Sequence, residues 1–282
     1  MRVLSQNDYI QQQSQVISLI TITKEEFHKL ADYIRANYGI HLREEKQALV
    51  MGRLQKVLLE NNIKSFSEYY DHVIRDKTGM AAATLVSKIT TNHTFFMREP
   101  DHFTYLKETV LPYLKSTVKD RDLRIWSAGC SSGEEPYTIA MVLNDFFGGE
   151  KMLWDTKILA TDISDRVLEI AQKGVYANDR ISALPPAWRL NYFRAIDENN
   201  SVVCDKIKNE VIFRKFNLMT EVFPFRKKFH VIFCRNVMIY FNNETKNKLV
   251  KKFYEITEPG GYLFIGHSES LNREENQFKY IK

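Results

Sequence analysis

Apolar residues recur at helical spacing through the first third of the chain. Thr23 begins the sequence Thr-Lys-Glu-Glu, which is typical of a helix capping box, and Gly39 supplies a stop signal, so a first helix is predicted between them. Further amphipathic stretches predict helices over residues 43–59, 67–75 and 79–89.

This first part of the chain carries no alternating strand pattern. The sequence therefore predicts an all-helical N-terminal domain over residues 1–89, followed by a linker and a connecting helix over residues 90–122. The linker segment mixes hydroxyls and amides with two aromatic residues, a composition that by itself indicates a buried connector.

From residue 123 the pattern changes to short apolar runs that alternate with helical stretches. Strands are predicted over residues 123–127, 157–161, 211–215, 230–234 and 262–266. The helices between and after them are predicted over residues 135–147, 164–173 and 243–256. Such alternation is typical of a mostly parallel sheet with helices on both faces, so an α/β fold is predicted for residues 123–282.

The segment 176–209 breaks this alternation. A short helix is predicted over residues 184–193, and two extended pieces, 192–196 and 201–206, flank the polar turn at 197–200. The sequence thus predicts a small inserted β-subdomain here.

Composition narrows the class of protein. The chain has 282 residues, of which 44% are apolar, enough for a sizeable core. Its three cysteines show neither metal-ligand spacing nor a disulfide framework, and no signal peptide or membrane-spanning run is present, so we expect a cytoplasmic protein without direct membrane insertion. The net charge of +5 suits an anionic partner, although the charge by itself favours the alternative of ordinary surface charge. No RNA- or DNA-binding motif is present, so no nucleic-acid partner is predicted.

The loop after the first predicted strand reads Gly-Cys-Ser-Ser-Gly-Glu-Glu over residues 129–135. Small residues let the backbone approach a ligand, and a helix start offers unpaired N–H groups, a geometry that binds nucleotides in open α/β folds. Glu134 and Glu135 would repel a phosphate. A cationic ligand with hydroxyls fits better, and S-adenosylmethionine, with its sulfonium, ammonium and ribose diol, is such a ligand.

Polar residues also follow the next two strands. Asp162 closes the second strand, where an acid accepts hydrogen bonds from ribose hydroxyls; the alternative is a helix N-cap, for which Ser164 competes. Asn217 follows the third strand, where an amide can pair with an adenine edge, and its alternative is a turn residue.

The fourth predicted strand ends in Cys-Arg-Asn. Arg235 and Asn236 are too polar to be buried unpaired, and the ends of strands are where open sheets bind ligands. Tyr240 follows within reach of the same crevice.

Motifs for hydrolysis or nucleophilic catalysis are absent from the sequence. Neither His-Glu-x-x-His nor Gly-x-Ser-x-Gly occurs, and the histidines do not fall at metal-ligand spacing, so no metal site is predicted.

From about Thr23 onward the chain resembles the CheR family, the chemoreceptor glutamate methyltransferases of bacterial chemotaxis. Four motifs carry the resemblance: Thr-Asn-His-Thr-Phe-Phe-Met-Arg-Glu, Trp-Ser-Ala-Gly-Cys-Ser-Ser-Gly-Glu-Glu-Pro-Tyr, Ala-Thr-Asp-Ile-Ser and Ile-Phe-Cys-Arg-Asn-Val-Met-Ile-Tyr-Phe. Pro-Gly-Gly and Gly-His-Ser-Glu-Ser near the end add to it. The resemblance implies a Rossmann-like class I methyltransferase domain, dependent on S-adenosylmethionine, behind an all-helical domain.

The resemblance also implies an activity, the formation of methyl esters on glutamate side chains of chemoreceptors, and a set of site residues. The implied cofactor contacts are Asn92, Thr94, Arg98, Glu135, Asp162, Asn217, Leu218, Arg235 and Asn236. Arg98 and Tyr240 match the pair beside the transferred methyl group, which makes them the predicted catalytic residues. Family members that tether a receptor tail have a longer, glycine-containing turn than the one at residues 197–200.

The predicted partner is the cytoplasmic helical region of methyl-accepting receptors, with the protein acting as a monomer recruited to membrane receptor arrays. A basic face on the second helix is the predicted docking surface, formed by Arg43, Lys46, Arg53 and Lys56. A solvated helix face is the alternative.

Two rival functions use the same features. One is a methyltransferase for another acidic protein or for nucleic acid, although amino-group methylation of bases commonly uses an Asn-Pro-Pro-Tyr-like motif where this chain has Arg-Asn-Val-Met. The other is a non-catalytic cofactor sensor, which would be expected to lose Arg98 or Tyr240.

Overall fold

The computed structural model describes residues 19–90, 93–272 and 277–281. Its N-terminal part contains α1 (Lys24–Tyr38), α2 (Gln47–Glu60), α3 (Phe66–Arg75) and α4 (Met80–Ile89). Thr23 and Glu26 form the predicted capping box, with the Thr23 hydroxyl accepting from the Glu26 amide at 3.2 Å and the Glu26 carboxylate accepting from the Thr23 amide at 2.9 Å.

The start of the second helix was predicted wrongly. Residues Glu44–Lys46 form a separate 3-10 turn, and α2 begins only at Gln47. Arg43 and Lys46 therefore precede α2. In place of one continuous helix, the structure has a 3-10 turn followed by an α-helix, and the two differ in pitch.

The connection to the sheet is helical. It comprises α5 (Pro100–Tyr105), a π turn (Leu106–Val110) and α6 (Leu111–Thr117). None of the helices in the described ranges is both long and apolar enough to span a membrane.

A five-stranded parallel sheet forms the centre of the molecule, in the order β6-β2-β1-β7-β8. Its strands are β1 (Ile125–Ala128), β2 (Ile158–Asp162), β6 (Val211–Lys215), β7 (Phe229–Cys234) and β8 (Thr257–Ile265). The helices of this part are α7 (Glu134–Phe147), α8 (Asp165–Lys173) and α12 (Asn243–Glu255), with 3-10 turns at Gly148–Leu153 and Met238–Tyr240. The predicted strands and helices are confirmed with small shifts at their ends, the largest at β8, and the arrangement is Rossmann-like.

The inserted β-subdomain is also confirmed, as an antiparallel sheet in the order β3-β5-β4. Its elements are β3 (Val175–Ala177), α9 (Asn178–Ile181), α10 (Pro186–Tyr192), β4 (Phe193–Ala195), β5 (Asn200–Val203) and α11 (Asp205–Lys208). The predicted turn forms between β4 and β5, where the Asp197 carboxylate accepts from the Asn199 and Asn200 amides at 2.7 Å each. The short strand β3 was not predicted.

The N-terminal helices and the sheet share an apolar core. Successive residues of β1 point to opposite faces, so Ile125 packs with α7 while the fully buried Trp126 joins the cluster that contains Phe27 and Leu54 of the N-terminal helices. The His41 amide donates to the Tyr240 carbonyl at 2.8 Å, which ties the helical part to the end of the Met238–Tyr240 turn. The helical part therefore lies directly beside the carboxyl ends of the strands.

Candidate active site

A cavity of about 290 Å³ opens at the carboxyl ends of β1, β2, β6 and β7. The strand order reverses at β1, with β2 on one side and β7 on the other, which is where open α/β sheets bind ligands. Nine of the predicted residues line this cavity: Thr94, Arg98, Glu135, Asp162, Asn217, Leu218, Arg235, Asn236 and Tyr240. Asn92, the remaining predicted cofactor contact, lies outside the described residues.

The N-terminal helices supply part of the cavity wall, a contribution that sequence reasoning missed. Tyr38 and Ile40 line it from the end of α1, and Val86, Ser87 and Thr90 line it from the end of α4. These residues carry no motif, because only the packing of the helices onto the sheet brings them to the site.

The loop between β1 and α7 requires its glycines. Gly129 has φ +90, and a Cβ there would overlap the Val237 side chain. Gly133 has φ +96, and a Cβ there would lie 2.8 Å from the Ala171 Cβ. These conformations are open to glycine at no steric cost, so the loop can pass close to the cavity.

Asp162 is oriented by backbone amides at the end of β2. Its Oδ2 accepts from the Ser131 amide at 2.9 Å and its Oδ1 from the Ser164 amide at 3.0 Å. Burial raises the pKa of this carboxyl, and the backbone hydrogen bonds oppose that shift. The Ile163 amide also contributes a hydrogen bond, and a carboxylate has about four lone-pair sites, so one remains to accept from a ribose hydroxyl. Ser164 occupies the N-cap position of α8 without a side-chain capping bond.

Glu135, Arg235 and Glu99 form an ion-pair chain across the site. The Arg235 guanidinium lies 3.0 Å from Oε2 of Glu135 and 3.0 Å from Oε2 of Glu99, and only 2% of its side chain is exposed. The Ser127 hydroxyl donates to the other Glu135 oxygen at 2.7 Å. Burial raises the pKa of Glu135 despite Arg235. At Glu99 burial also acts to raise the pKa, but Arg235 together with hydrogen bonds from His267 and Asn236 lowers it.

Because of these ion pairs, Arg235 affects the cavity through other residues of the protein. Its Nη2 also donates to the Arg98 carbonyl, so it joins β7, α7 and the linker. Sequence reasoning placed Arg235 at the site but missed Glu99, whose only signal was its place after Arg98 in the linker motif.

Asn236 follows with φ 59, a conformation that non-glycine residues rarely adopt. Its amide donates to the buried Glu269 carboxylate at 2.8 Å, and its side chain donates to Glu99 at 3.3 Å. Glu269 also accepts from the amides of Ile239 and Gly266. Glu269 was missed as a site residue, although it lies in the Gly-His-Ser-Glu-Ser motif.

Asn217 uses its side chain within the protein. Its Nδ2 donates to the Asn37 carbonyl at 2.8 Å and its Oδ1 accepts from the Met219 amide at 2.9 Å. This arrangement favours the turn-residue alternative for the side chain, while Asn217 and the buried Leu218 still form cavity wall.

Arg98 and Tyr240 face the cavity from the linker and from the turn after β7. Nη1 of Arg98 donates to the His93 carbonyl, and its guanidinium lies 6.0 Å from the Phe95 ring centroid. Met97 and Glu99, on either side of Arg98, have φ values of 59 and 56. Backbone in this region is strained for such residues, so the linker is held in shape by its contacts.

The four predicted docking residues do not share one helix face. Arg43 lies 3.9 Å from Glu45 and precedes α2, as does Lys46, while the exposed Lys56 lies 3.6 Å from Glu60. Arg53 donates to the carbonyls of Lys88 at 3.3 Å and Ile89 at 2.6 Å. Its guanidinium therefore caps the C-terminus of α4, which corrects the prediction that it is a surface cation.

Among the described residues, one group has donor atoms close enough to hold a metal ion: Glu99, His102 and His267. Burial, followed by the charge of Arg235, lowers the pKa of His102 to about 4, so its imidazole is neutral at pH 7. Glu99, however, is already paired with Arg235 and accepts from the His267 amide at 3.2 Å. An adjacent guanidinium disfavours a second cation, and Glu99 is better described as part of the ion-pair chain with Arg235.

The cavity residues fit a ligand with a cationic end and a diol end but no phosphate. Glu135 offers carboxylate oxygens for an ammonium, Asp162 offers them for hydroxyls, and Leu218 offers an apolar wall. Gly129 and Gly133 have no side chain, so a ligand can lie against the backbone of this loop.

Comparisons with known proteins identify the family of the chain. The chain matches the family described as CheR methyltransferase, SAM binding domain, over residues 92–282, and CheR methyltransferase, all-alpha domain, over residues 25–90. A chemotaxis protein methyltransferase of Borreliella burgdorferi is 43% identical over 265 residues, which cover 93% of each chain. A chemotaxis protein methyltransferase of Vibrio parahaemolyticus is 35% identical over 268 residues, 94% of this chain and 96% of the relative. The chain therefore belongs to the CheR methyltransferase family, and it is a methyltransferase whose cofactor is S-adenosylmethionine.

Proposed function

We propose that this protein methylates glutamate side chains on bacterial chemoreceptors and so forms glutamate methyl esters. The observation that carries the proposal is the position of Arg98, whose guanidinium belongs to the wall of a cavity that fits the cofactor. A cation at that place suits an anionic acceptor. The membership of the CheR family and the chemotaxis relatives support the receptor as its source.

A carboxylate acceptor agrees with the chemistry available in the cavity. A glutamate side chain has an unperturbed pKa of about 4.3, so it is ionised at neutral pH and needs no general base. Cys130 lines the cavity, but burial raises the pKa of its thiol well above the ordinary value. The thiol stays protonated, which removes it as a nucleophile.

Positioning then becomes the main contribution of the protein. When bound, the cofactor supplies a methyl group on a sulfonium, which is already a good leaving group. Glu135 and Asp162 hold the ammonium and ribose ends, and Arg98 orients the acceptor carboxylate. Such alignment contributes roughly 7–11 kcal/mol at best.

Arg98 and Tyr240 have separate roles in this proposal. Arg98 orients the acceptor and offsets its desolvation, but binding it too tightly would stabilise the ground state and reduce its nucleophilicity. Tyr240 donates a hydrogen bond from its hydroxyl to the same carboxylate.

The helical part, residues 1–89, docks the receptor. Residues 123–282, together with Arg98 of the linker, carry out the transfer. The exposed side chains of Arg43, Lys46 and Lys56 present positive charge to an acidic helix bundle. Arg53 contributes indirectly, since it holds the end of α4 from which the chain enters the linker. The protein acts as a cytoplasmic monomer recruited to receptor arrays.

A transfer assay with labelled S-adenosylmethionine tests the proposal. Purified protein is incubated with receptor-containing membranes and, separately, with RNA. We expect label on the receptor that is released by mild base, because carboxyl esters hydrolyse under conditions that leave N-methyl groups intact. Base-stable label, or label on RNA alone, would exclude glutamate esterification.

A further inference from the structure

The inserted β-subdomain contacts the cofactor pocket through Arg180. This residue lies on α9, and its Nη2 is 2.5 Å from Oε1 of Glu134 and 2.9 Å from the Thr94 carbonyl, to which it donates a hydrogen bond. Thr94 belongs to the linker and lines the cavity, whereas Glu134 is the first residue of α7. One guanidinium thus bridges two segments that form different sides of the pocket.

Glu134 is a fully buried carboxyl, with 0% of its side chain exposed. Its Oε2 accepts from the Ser132 hydroxyl at 2.7 Å. Burial raises the pKa of Glu134, and the Ser132 hydrogen bond and the Arg180 charge oppose that shift. The Arg180 side chain is 40% exposed, so the pair has one buried and one partly solvated partner. Loss of Arg180 would leave the buried Glu134 carboxyl with the Ser132 hydrogen bond but without its cation.

Tyr176 makes a second contact from the subdomain to the same loop. Its hydroxyl donates to the Ser132 carbonyl at 2.6 Å, and its ring meets the Phe96 ring edge-on at 4.9 Å. Ser132 and Gly133 connect this contact to Glu134 and Glu135 along the chain. The subdomain is therefore fastened to both the loop and the linker.

We infer that Arg180 is a positioning residue for cofactor binding, which acts by holding the linker at Thr94 against the start of α7 at Glu134. The inserted subdomain is by this inference a structural part of the cofactor pocket. Arg180 acts through Thr94 and Glu134, so its loss should affect the affinity for the cofactor far more than the chemical step.

Calorimetric binding of S-adenosylhomocysteine to the full chain tests this role. We expect Arg180→Met to weaken binding about tenfold, the size of effect that loss of one charged hydrogen bond produces. The KM for S-adenosylmethionine should rise by a similar factor, with kcat within about twofold of the wild type. Arg180→Lys keeps a charge beside Glu134 but not the planar fork, and it should recover part of the loss.

Arg189→Met is the matched control, because Arg189 is an exposed arginine on α10 of the same subdomain. It should bind the ligand as the wild type does. Unchanged binding in Arg180→Met, or an equal loss in Arg189→Met, would overturn the inference.

A double-mutant cycle separates this role from general destabilisation. If Arg180 acts through Glu134, then Glu134→Gln should weaken binding by itself, and adding Arg180→Met should cost little more. Fully additive losses contradict the coupling. Should Arg180→Met fail to fold, Arg180→Lys and Glu134→Gln still decide: wild-type affinity in both, measured well below the melting temperature, overturns the inference.

Discussion

The guanidinium of Arg235 lies 3.0 Å from the carboxylate of Glu135, the residue expected to receive the ammonium end of the cofactor. The cation comes from the end of β7 and the anion from the first turn of α7, 100 residues apart in the chain. Glu135 is therefore oriented by Arg235, which also balances part of its charge. The ligand's ammonium would share this carboxylate with Arg235.

Loss of Arg235 should destabilise the fold. Arg235→Met would leave Glu135 and Glu99 without their shared cation in a largely buried site. Breaking a buried ion pair in this way costs about 3–5 kcal/mol, so we expect a fall of that order in the free energy of unfolding. Urea unfolding followed by circular dichroism measures it. Lys248→Met, which removes an exposed pair with Glu244, serves for comparison, and an equal or smaller loss in Arg235→Met would contradict the prediction.

Loss of Arg98 should impair turnover while the protein stays folded. Arg98→Ala removes the group that orients the acceptor carboxylate, so we expect kcat to fall at least tenfold, about 1.4 kcal/mol in the barrier. Initial rates of methyl transfer to receptor membranes measure it, with thermal unfolding as the check on folding. Turnover at the wild-type level in this variant would refute the role.

Charge reversal on the helical part should weaken receptor docking. Lys46→Glu combined with Lys56→Glu places negative charge opposite an acidic receptor bundle, and we expect the KM for receptor to rise severalfold with the KM for cofactor unchanged. The effect should shrink at high salt, because exposed charges are screened.

Two further variants control this experiment. Arg189→Glu with Lys251→Glu reverses two exposed cations elsewhere on the protein and should leave the receptor KM unaltered. Arg53→Met should lower stability, since Arg53 caps α4. A receptor KM that responds equally to both double reversals would dismiss specific docking.

Cofactor binding should weaken as the pH falls. Burial raises the pKa of Glu135 above that of an exposed glutamate, with Arg235 opposing the shift. The carboxyl therefore takes up its proton at a higher pH than usual, and the anion that attracts the ammonium is lost on acidification. We expect affinity for S-adenosylhomocysteine to hold at neutral pH and to fall about tenfold per pH unit below the folded-state pKa.

Calorimetry at several pH values measures this dependence. Asp162 also has a raised pKa, so the contribution of Glu135 is the difference between the wild type and Glu135→Gln. That variant should bind weakly throughout and show a shallower pH dependence. An identical slope in both proteins would assign the titration elsewhere.

His102 should make the stability of the fold sensitive to acid. Burial, followed by Arg235, lowers the pKa of His102 from 6.5 to about 4, with Glu99 opposing. Below pH 6.5 the unfolded chain binds a proton that the folded protein does not, so the free energy of unfolding should decline until about pH 4. His102→Gln should flatten this decline when urea unfolding is compared across the range. A decline of the same steepness in both proteins would contradict the assignment.

Much of the fold could be read from local patterns. The capping box at Thr23, the alternation of strands and helices, and the turn at residues 197–200 depend on residues close in sequence, and each is confirmed. The predicted start of the second helix is wrong because residues 43–46 are compatible with both an α-helix and a 3-10 turn. Local propensity does not separate the two.

The sequence by itself also determined where the site lies. Asp162, Arg235 and Asn236 stand at the ends of predicted strands, and parallel strands bring their carboxyl ends to one edge of a sheet. Gly129 and Gly133 predicted a loop whose backbone can pass close to the cavity. These inferences need only the spacing of apolar residues along the chain and the direction of the predicted strands.

Only the tertiary structure decided which polar side chains pair with other groups of the protein. Arg235 pairs with Glu99 across 136 residues, Asn217 bonds to the Asn37 carbonyl across 180, and Arg53 caps a helix that it does not belong to. Such pairings arise from the packing of whole elements against one another, and no local period encodes them. For the same reason, the positions of Tyr38 and Val86 in the cavity wall and the contact of Arg180 with Thr94 follow only from the packing of the helices and the inserted subdomain.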